Sequence, residues 1–107
     1  MIKVYQIQLT DSEITVANEG GSTPKLKAYF DRSFDSTFKV ENFEHYTHVA
    51  NVFTDDMEYA FEVMNLWDDD TMYEFMVYRP SSMSVGDILV AEDGAMYRCA
   101  SFGFDKI

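Results

Sequence analysis

The chain has 107 residues, enough for one folded domain, and we expect residues 1–107 to share a single hydrophobic core. Hydrophobic residues make up 47% of the chain and aromatic residues 16%, a composition that excludes an intrinsically disordered protein. No apolar run approaches the roughly 18 residues of a membrane span, and the single cysteine, Cys99, excludes an internal disulfide. The opening residues lack the pattern of a signal peptide, so we expect a cytoplasmic protein in a reducing compartment.

The formal net charge of −11 is concentrated in residues 40–78, which we call the acidic segment. Residues 1–39 carry five basic and five acidic side chains, and residues 79–107 carry three and four. The acidic segment has no Lys or Arg and ten carboxylates: Glu41, Glu44, Asp55, Asp56, Glu58, Glu62, Asp68, Asp69, Asp70 and Glu74. Such a segment repels nucleic-acid phosphates and attracts basic protein surfaces, although the same pattern is also typical of a solvated surface that keeps a protein soluble.

The first predicted elements are a strand and a helix. Residues 2–9 alternate apolar and polar side chains, which predicts a β-strand whose core-facing side carries Tyr5, Ile7 and Leu9. Thr10 and Glu13 have the spacing of a capping box, which predicts a helix over 11–18 that ends at the glycine pair 20–21. The side of this helix expected to pack inward carries Ile14 and Ala17.

Two further strands are predicted on either side of a loop. Residues 25–34 alternate and predict a strand with one face formed by Leu26, Ala28 and Phe30. Residues 35–46 are expected to form a loop with one helical turn near Phe43. Residues 46–53 alternate again and predict a strand that is buried on at least one face.

The clearest predicted helix follows that strand. Thr54 or Asp55 is expected to cap it, because Asp and Thr side chains accept hydrogen bonds from the first free N–H groups of a helix. One stripe at helical spacing is expected to face the core: Met57, Ala60, Phe61 and Met64. A row of carboxylates is expected to face water on another side: Asp55, Glu58 and Glu62.

The last part of the chain predicts a turn at 67–71, a strand at 72–78 and a closing hairpin. The apolar runs 88–91 and 95–102 flank an Asp-Gly pair at 93–94, which indicates a tight β-turn. Together the elements indicate an α+β fold with a mixed or antiparallel sheet of about five to six strands, two helices and a C-terminal β-hairpin.

Three stretches, 4–14, 46–65 and 82–107, resemble a family of small proteins that is common among bacteriophage genes and mobile elements. The closing stretch resembles the YodL-like domain, in which Ser-x-Ser-Val-x-Asp precedes a hairpin and Ser-Phe-Gly-Phe follows it. The matching residues are Ser82, Ser84, Val85, Asp87, Tyr97, Ser101, Phe102, Gly103 and Phe104. The resemblance covers somewhat more than half of the chain and implies a phage accessory protein without established catalytic residues.

No residue pattern predicts catalysis or a metal centre. His45 and His48 lie three positions apart, but a strand places such residues on opposite faces, and no third ligand is near in sequence. The acidic run 68–70 is typical of a calcium loop, yet Tyr73 and Arg79 occupy the positions where an EF-hand requires Gly and Glu. We therefore expect no enzymatic activity, no metal and no cofactor.

The closing Ser-Phe-Gly-Phe has two interpretations. Phe102 and Phe104 are two positions apart, as on one face of a strand, which favours packing in the core. The alternative is an exposed aromatic pair that anchors a partner.

From the charge and the resemblance we expect a non-enzymatic accessory protein of bacteriophage type. It binds and inhibits a basic, DNA-binding host protein through a DNA-mimic-like face formed by all ten carboxylates on one side of the molecule. Candidate partners are restriction or other defence enzymes, RNA polymerase and nucleoid proteins; we expect no direct binding to nucleic acid or membrane, and a homodimer stays open. The alternative is a protein–protein interaction module or homo-oligomer with an aromatic and Met surface: Tyr59, Trp67, Met72 and Tyr73.

Overall fold

The computed structural model describes residues 1–34 and 38–107. Within these ranges the elements are β1 Ile2–Gln6, α1 Asp11–Asn18, α2 Pro24–Phe34, a 3₁₀ helix Val40–His45, β2 Thr47–Val52, α3 Met57–Leu66, β3 Tyr73–Phe75, β4 Ile88–Val90, β5 Met96–Cys99 and β6 Phe104–Lys106. The expected α+β class and strand number are confirmed, whereas helices exceed the expected two. None of the described helices is both long and apolar enough to cross a bilayer.

The six described strands form one antiparallel sheet in the order β3-β2-β1-β4-β5-β6. A β-bulge lies at its centre, because Val4 pairs with Ala50 but Tyr5 pairs with His48, which leaves Val49 as an extra residue in β2. Val49 and Ala50 are both fully buried in the core. The bulge therefore lets two consecutive residues of β2 contribute to the same apolar cluster.

One face of the sheet packs against α3 and forms the main core. Its buried members are Ile2, Val4, Val49, Ala50, Val52, Ala60, Val63, Met64, Met83, Leu89 and Cys99. The expectation that Tyr5 faces this core is wrong: Ile2 and Val4 do so, and Tyr5 packs on the opposite face against Phe43, with 5.2 Å between ring centroids. Both faces of β1 are covered, so the polar and apolar alternation does not identify the core side. Ile7 is buried just after the strand, and Leu9 is half-buried.

Residues 25–34 form the greater part of α2, and the strand predicted there is wrong. Pro24 suits the first position of a helix, and Thr23 Oγ1 accepts a hydrogen bond from Leu26 N at 3.1 Å. Leu26 and Ala28 are buried on one broad side of α2, but Phe30 is 48% exposed. Leu26 and Ala28 can both be buried, although they are only two positions apart, because a helix that packs on a sheet buries more than a single row of residues.

The 3₁₀ helix provides the helical turn expected near Phe43. Residues 35–37 of the predicted loop lie outside the described residues. β2 lies within the predicted strand 46–53, and β3 is shorter than the predicted strand 72–78. The turn expected at 67–71 is present between α3 and β3.

α1 has the predicted bounds and ends. Glu13 N donates to Thr10 Oγ1 at 3.2 Å and Thr10 N donates to Glu13 Oε1 at 2.8 Å, which completes the capping box. The expected inward packing of this helix is wrong, because Ile14 is 44% exposed and no residue of α1 is buried. Lys25 Nζ lies 3.0 Å from Glu13 Oε1 and links α1 to α2. Polar contacts thus position α1.

β4 and β5 form the predicted hairpin, with Gly94 at φ 87° in its turn. β5 ends at Cys99 rather than at 102, because Ala100 N donates to Gly103 O at 3.0 Å and the chain reverses into β6. Phe104 packs against the core, but Phe102 is 97% exposed at the tip of this second turn. The expectation that both Phe side chains face the core is therefore confirmed for Phe104 and wrong for Phe102.

Candidate partner-binding surface

The expected cap of α3 at Thr54 or Asp55 is wrong, because the helix begins one residue later than a cap at Asp55 requires and two later than a cap at Thr54. The N-cap is Asp56, whose Oδ1 accepts hydrogen bonds from Glu58 N at 3.0 Å and Tyr59 N at 3.3 Å. Thr54 Oγ1 in turn accepts a hydrogen bond from Asp56 N at 3.1 Å. Asp55 therefore precedes the helix, and its side chain is 90% exposed.

The buried side of α3 differs from the expected stripe. Ala60, Val63 and Met64 are buried, whereas Phe61 is 40% exposed. The sheet contacts the side that is centred between Ala60 and Val63, so Phe61 lies at the margin of that contact. The outward side of α3 therefore presents an aromatic ring between two exposed carboxylates, Glu58 and Glu62.

Seven carboxylates lie on α3 or directly beside its ends, and we call them the α3 acidic surface: Asp55, Asp56, Glu58, Glu62, Asp68, Asp69 and Asp70. Among the described residues, no Lys or Arg side chain lies within ion-pair distance of any of them. Asp55 Oδ1 lies 3.3 Å from the amino group of Met1, and Asp69 Oδ1 accepts a hydrogen bond from Thr71 Oγ1 at 2.6 Å. The remaining charge on this surface faces water.

Several of these carboxylates lie where they destabilise α3. Glu58 and Glu62 are four residues apart, and a like-charged pair at that spacing destabilises a helix by about 0.2–0.5 kcal/mol. Asp68 and Asp70 follow the C-terminal end of α3, where the helix dipole is already negative, and α3 has no basic residue in its last turn. The stability of α3 accounts for Asp56, which caps the helix, and for Glu58 in its first turn, but not for Glu62, Asp68 and Asp70.

The remaining three carboxylates of the acidic segment lie on the opposite face of the sheet: Glu41, Glu44 and Glu74. The 3₁₀ helix that carries the first two packs through Phe43 on Tyr5. Glu74 Oε1 accepts a hydrogen bond from Asn51 Nδ2 at 2.7 Å on that same face. The expectation that all ten share one side is therefore wrong, because the 3₁₀ helix covers the other face and alternate residues of β3 point to opposite faces.

Exposed apolar side chains lie beside the α3 acidic surface. A cleft of about 330 Å³ separates α3 from the turn between β5 and β6, and its lining includes Glu58, Phe61 and Phe102. Leu66 is 57% exposed at the end of α3. This face of the molecule therefore combines negative charge with apolar side chains that water surrounds.

The aromatic and Met residues of the alternative hypothesis lie elsewhere. Tyr59, Trp67, Met72 and Tyr73 are half-buried and pack against the core. The Trp67 ring meets the Tyr73 ring nearly edge-on, with 5.4 Å between centroids. These four residues thus stabilise the junction of α3 and β3 more than they form a free surface.

Asp87 and Arg32 form the centre of a buried polar cluster. Asp87 Oδ2 accepts hydrogen bonds from Gln6 Nε2 and Ser84 N, each at 3.0 Å, and Asp87 Oδ1 lies 3.6 Å from Arg32 Nη1. Arg32 Nη1 also donates to Val85 O at 3.0 Å and to Ser84 Oγ at 3.1 Å. The motif residues 84–87 therefore form a turn that is tied to α2, which is a structural role.

The shifted pKa values in this cluster are explained by burial. Burial raises the pKa of Asp87 to about 6, although the Ser84 N–H group, Arg32 and Gln6 each lower it. Burial raises the pKa of Tyr46 to about 12, and its hydroxyl donates to Gly86 O at 2.6 Å. Burial also raises the pKa of Cys99 to about 11, so its thiol is protonated at neutral pH and is not an activated nucleophile.

The two histidines are held by neighbouring side chains. His48 Nε2 lies 2.7 Å from Asn51 Oδ1, and the His48 ring stacks on Tyr5. His45 Nε2 lies 3.4 Å from Glu44 Oε1. Within 1–34 and 38–107, no three His, Cys, Asp or Glu side chains are grouped closely enough to hold a metal ion.

Comparison of the chain with protein-family models, with curated proteins and with solved structures found no match. The resemblance to the YodL-like domain therefore depends on the motif residues of this sequence alone. Of those residues, Ser84 and Asp87 have structural contacts, whereas Phe102 faces water. The function of the chain is accordingly inferred from the α3 acidic surface and its surroundings.

Proposed function

We propose that the chain binds a basic protein surface through the α3 acidic surface and so excludes nucleic acid from it. In this role it is a non-enzymatic accessory protein of the type that bacteriophages and mobile elements encode. Its partner is a DNA-binding host protein, such as a restriction or other defence enzyme, RNA polymerase or a nucleoid protein. The proposal is carried by seven carboxylates that have no Lys or Arg partner in the described part of the chain.

The spacing of these charges supports competition with DNA. Glu58 and Glu62 are about 6 Å apart along the axis of α3, and a DNA strand likewise carries a negative charge every few ångströms. A groove lined with Lys and Arg attracts both for the same electrostatic reason. The same charge makes direct binding of this chain to nucleic acid unfavourable.

Binding would also relieve a cost that the free chain carries. A cation placed between Glu58 and Glu62 replaces repulsion with attraction, and a cation near Asp68 or Asp70 also stabilises the negative end of α3. Because the carboxylates are exposed, each pair contributes little, and salt screens it. We therefore expect affinity to come from several weak pairs and to fall steeply with added salt.

Two double variants with the same change in net charge test the proposal. The partner is first isolated from bacterial lysate at low salt, and the chain is then titrated against a complex of that partner with fluorescent DNA. Glu58→Gln with Glu62→Gln should weaken displacement of the DNA by roughly five- to thirtyfold, since two exposed charge pairs contribute about 1–2 kcal/mol. Glu41→Gln with Glu44→Gln, on the opposite face, should match the unmodified chain.

The two variants also define the result that contradicts the proposal. Equal weakening by both would indicate that net charge alone matters, and not the α3 acidic surface. Direct binding of the chain to the isolated partner that is unchanged between low and high salt would exclude an electrostatic interface.

A further inference from the structure

The cleft between α3 and the turn of β5 and β6 adds an apolar component to the α3 acidic surface. We infer that this cleft binds one large apolar side chain, Leu or aromatic, from a partner segment that carries Lys or Arg beside it. The inference rests on the proposed function and specifies what the surface recognises in addition to positive charge.

The size and lining of the cleft suit one such side chain. Its volume is about 330 Å³, and an apolar cavity of about 150 Å³ already admits benzene. Phe61 of α3 forms one wall, and residues 99–104 form the other. A Leu side chain or a phenyl ring of the partner therefore fits between the two walls, and the adjacent residues of the partner segment contact the rim of the cleft.

Phe102 is the feature of this cleft that the fold does not explain. Phe102 is 97% exposed, yet its backbone conformation is defined, because Ala100 N donates to Gly103 O at 3.0 Å and Gly103 has φ 71°. In the described ranges no aromatic ring packs against Phe102, whereas the motif residues Ser84 and Asp87 are bound into the buried cluster. An exposed aromatic side chain on a backbone turn of defined conformation is typical of an interface anchor.

Charge specifies what must accompany the apolar side chain. Glu58 belongs to the wall of the cleft, and Glu62 follows one turn further along α3, both exposed. A neutral apolar ligand would displace water from these carboxylates without replacing its hydrogen bonds. A segment with Lys or Arg beside the apolar residue pairs with them instead, so the occupant is a basic segment with an apolar anchor.

Two synthetic peptides of equal charge provide the probe. One alternates Lys and Leu, the other alternates Lys and Ser, and each is titrated calorimetrically into the full chain at low salt. We expect the Lys–Leu peptide to bind roughly tenfold or more tightly than the Lys–Ser peptide, because only the first can place an apolar side chain between Phe61 and Phe102.

Substitutions separate the anchor from the charge. Phe102→Ser, at an exposed position that leaves the core intact, should remove most of the preference for the Lys–Leu peptide and leave the affinity for the Lys–Ser peptide unchanged. Val40→Ser is the matched control, because Val40 is 76% exposed on the opposite face and should not matter. Glu58→Gln with Glu62→Gln should weaken both peptides by a similar factor.

Each outcome has a defined meaning. Equal affinity for the two peptides, or a preference that survives Phe102→Ser, would overturn the inference and leave the proposed function standing. Failure of both peptides to bind at low salt would overturn the proposed function and the inference with it. A dimer that dissociates on Phe102→Ser in sedimentation would assign the cleft to a second copy of the chain and also overturn the inference.

Discussion

Asp87 is only 2% exposed, and three polar groups face its carboxylate: Gln6 Nε2, Ser84 N–H and the Arg32 guanidinium. Loss of hydration outweighs these neighbours, so the pKa of Asp87 rises to about 6. The carboxylate is still ionised at neutral pH. It therefore lowers the stability of the fold at that pH relative to acidic conditions, in which it is protonated.

This shift predicts a pH dependence of stability. The pKa of Asp87 is higher in the folded state than in the unfolded state, so protonated Asp87 favours folding. This contribution to the free energy of unfolding is fully present below about pH 4, and roughly 3 kcal/mol is lost as the pH rises through about 6. Asp87→Asn removes this titration. The difference in urea-unfolding free energy between the original chain and Asp87→Asn should therefore change by that amount across this range, and a constant difference would contradict the raised pKa.

Two glycines with nearly the same backbone angle predict different responses to substitution. Gly86 has φ 92° and Gly94 has φ 87°, but a Cβ at Gly86 would lie 2.4 Å from Arg32 O, whereas a Cβ at Gly94 meets nothing within 4 Å. Gly94→Ala should cost about 1 kcal/mol of unfolding free energy from backbone strain alone. Gly86→Ala should cost at least about 3 kcal/mol, because α2 must also move; similar losses in denaturant titrations would show that this contact is loose.

Helices α1 and α3 begin where nearby side chains cap them, but the side that each buries depends on the sheet. The capping box of Thr10 and Glu13 sets the start of α1, and Asp56 sets the start of α3. Neither cap specifies that Phe61 stays exposed or that Ile14 faces water. The carboxylates on the exposed side of α3 repel one another, and this repulsion lowers the stability of the helix.

Glu62→Lys should make α3 more stable and the partner-binding surface weaker. The substitution replaces a like-charged pair with Glu58 by an attractive pair at the same spacing, which contributes about 0.5–1 kcal/mol to the unfolding free energy. Thermal unfolding measures the gain, and the Lys–Ser peptide titration measures the expected loss of affinity. Glu62→Gln should give about half of the gain, and no gain in either variant would show that this repulsion is already screened.

Across the molecule, seven of the ten carboxylates in the acidic segment crowd around α3, and three lie on the opposite face. A net charge of −11 produces self-repulsion, which salt screens over about 10 Å at 0.1 M. Because most of these carboxylates lie around α3, repulsion between like charges is stronger there than on the opposite face of the sheet.

The melting temperature should therefore rise between low salt and physiological salt. Glu58→Gln with Glu62→Gln should reduce this rise more than Glu41→Gln with Glu44→Gln, although both remove two charges. Scanning calorimetry at two salt concentrations measures it. An identical reduction in the two variants would indicate that the charges act only through their total.

Features that depend on residues a few positions apart followed from the sequence. The bounds of α1, the hairpin turn at Gly94 and the exposure of Glu58 and Glu62 are local matters of capping, turn chemistry and polarity. The α+β class and the number of strands followed from the same local patterns taken together. The concentration of charge in the acidic segment needed no structure at all.

Tertiary structure decided whatever depended on which neighbour covers an element. The helix at 25–34 has a local start signal in Thr23 and Pro24, but the alternation of Leu26, Ala28 and Phe30 favoured a strand. Tertiary contacts then hold the helix in place, because Arg98 Nη2 donates to Arg32 O and Gly86 packs closely against Arg32. Helices lie on both faces of the sheet, so alternation along β1 did not distinguish its core side. The ten carboxylates of the acidic segment are likewise divided between the two faces of the sheet, and Phe102 lies in water beside α3. These outcomes depend on which distant segments the folded chain brings together, and the order of the residues does not specify that.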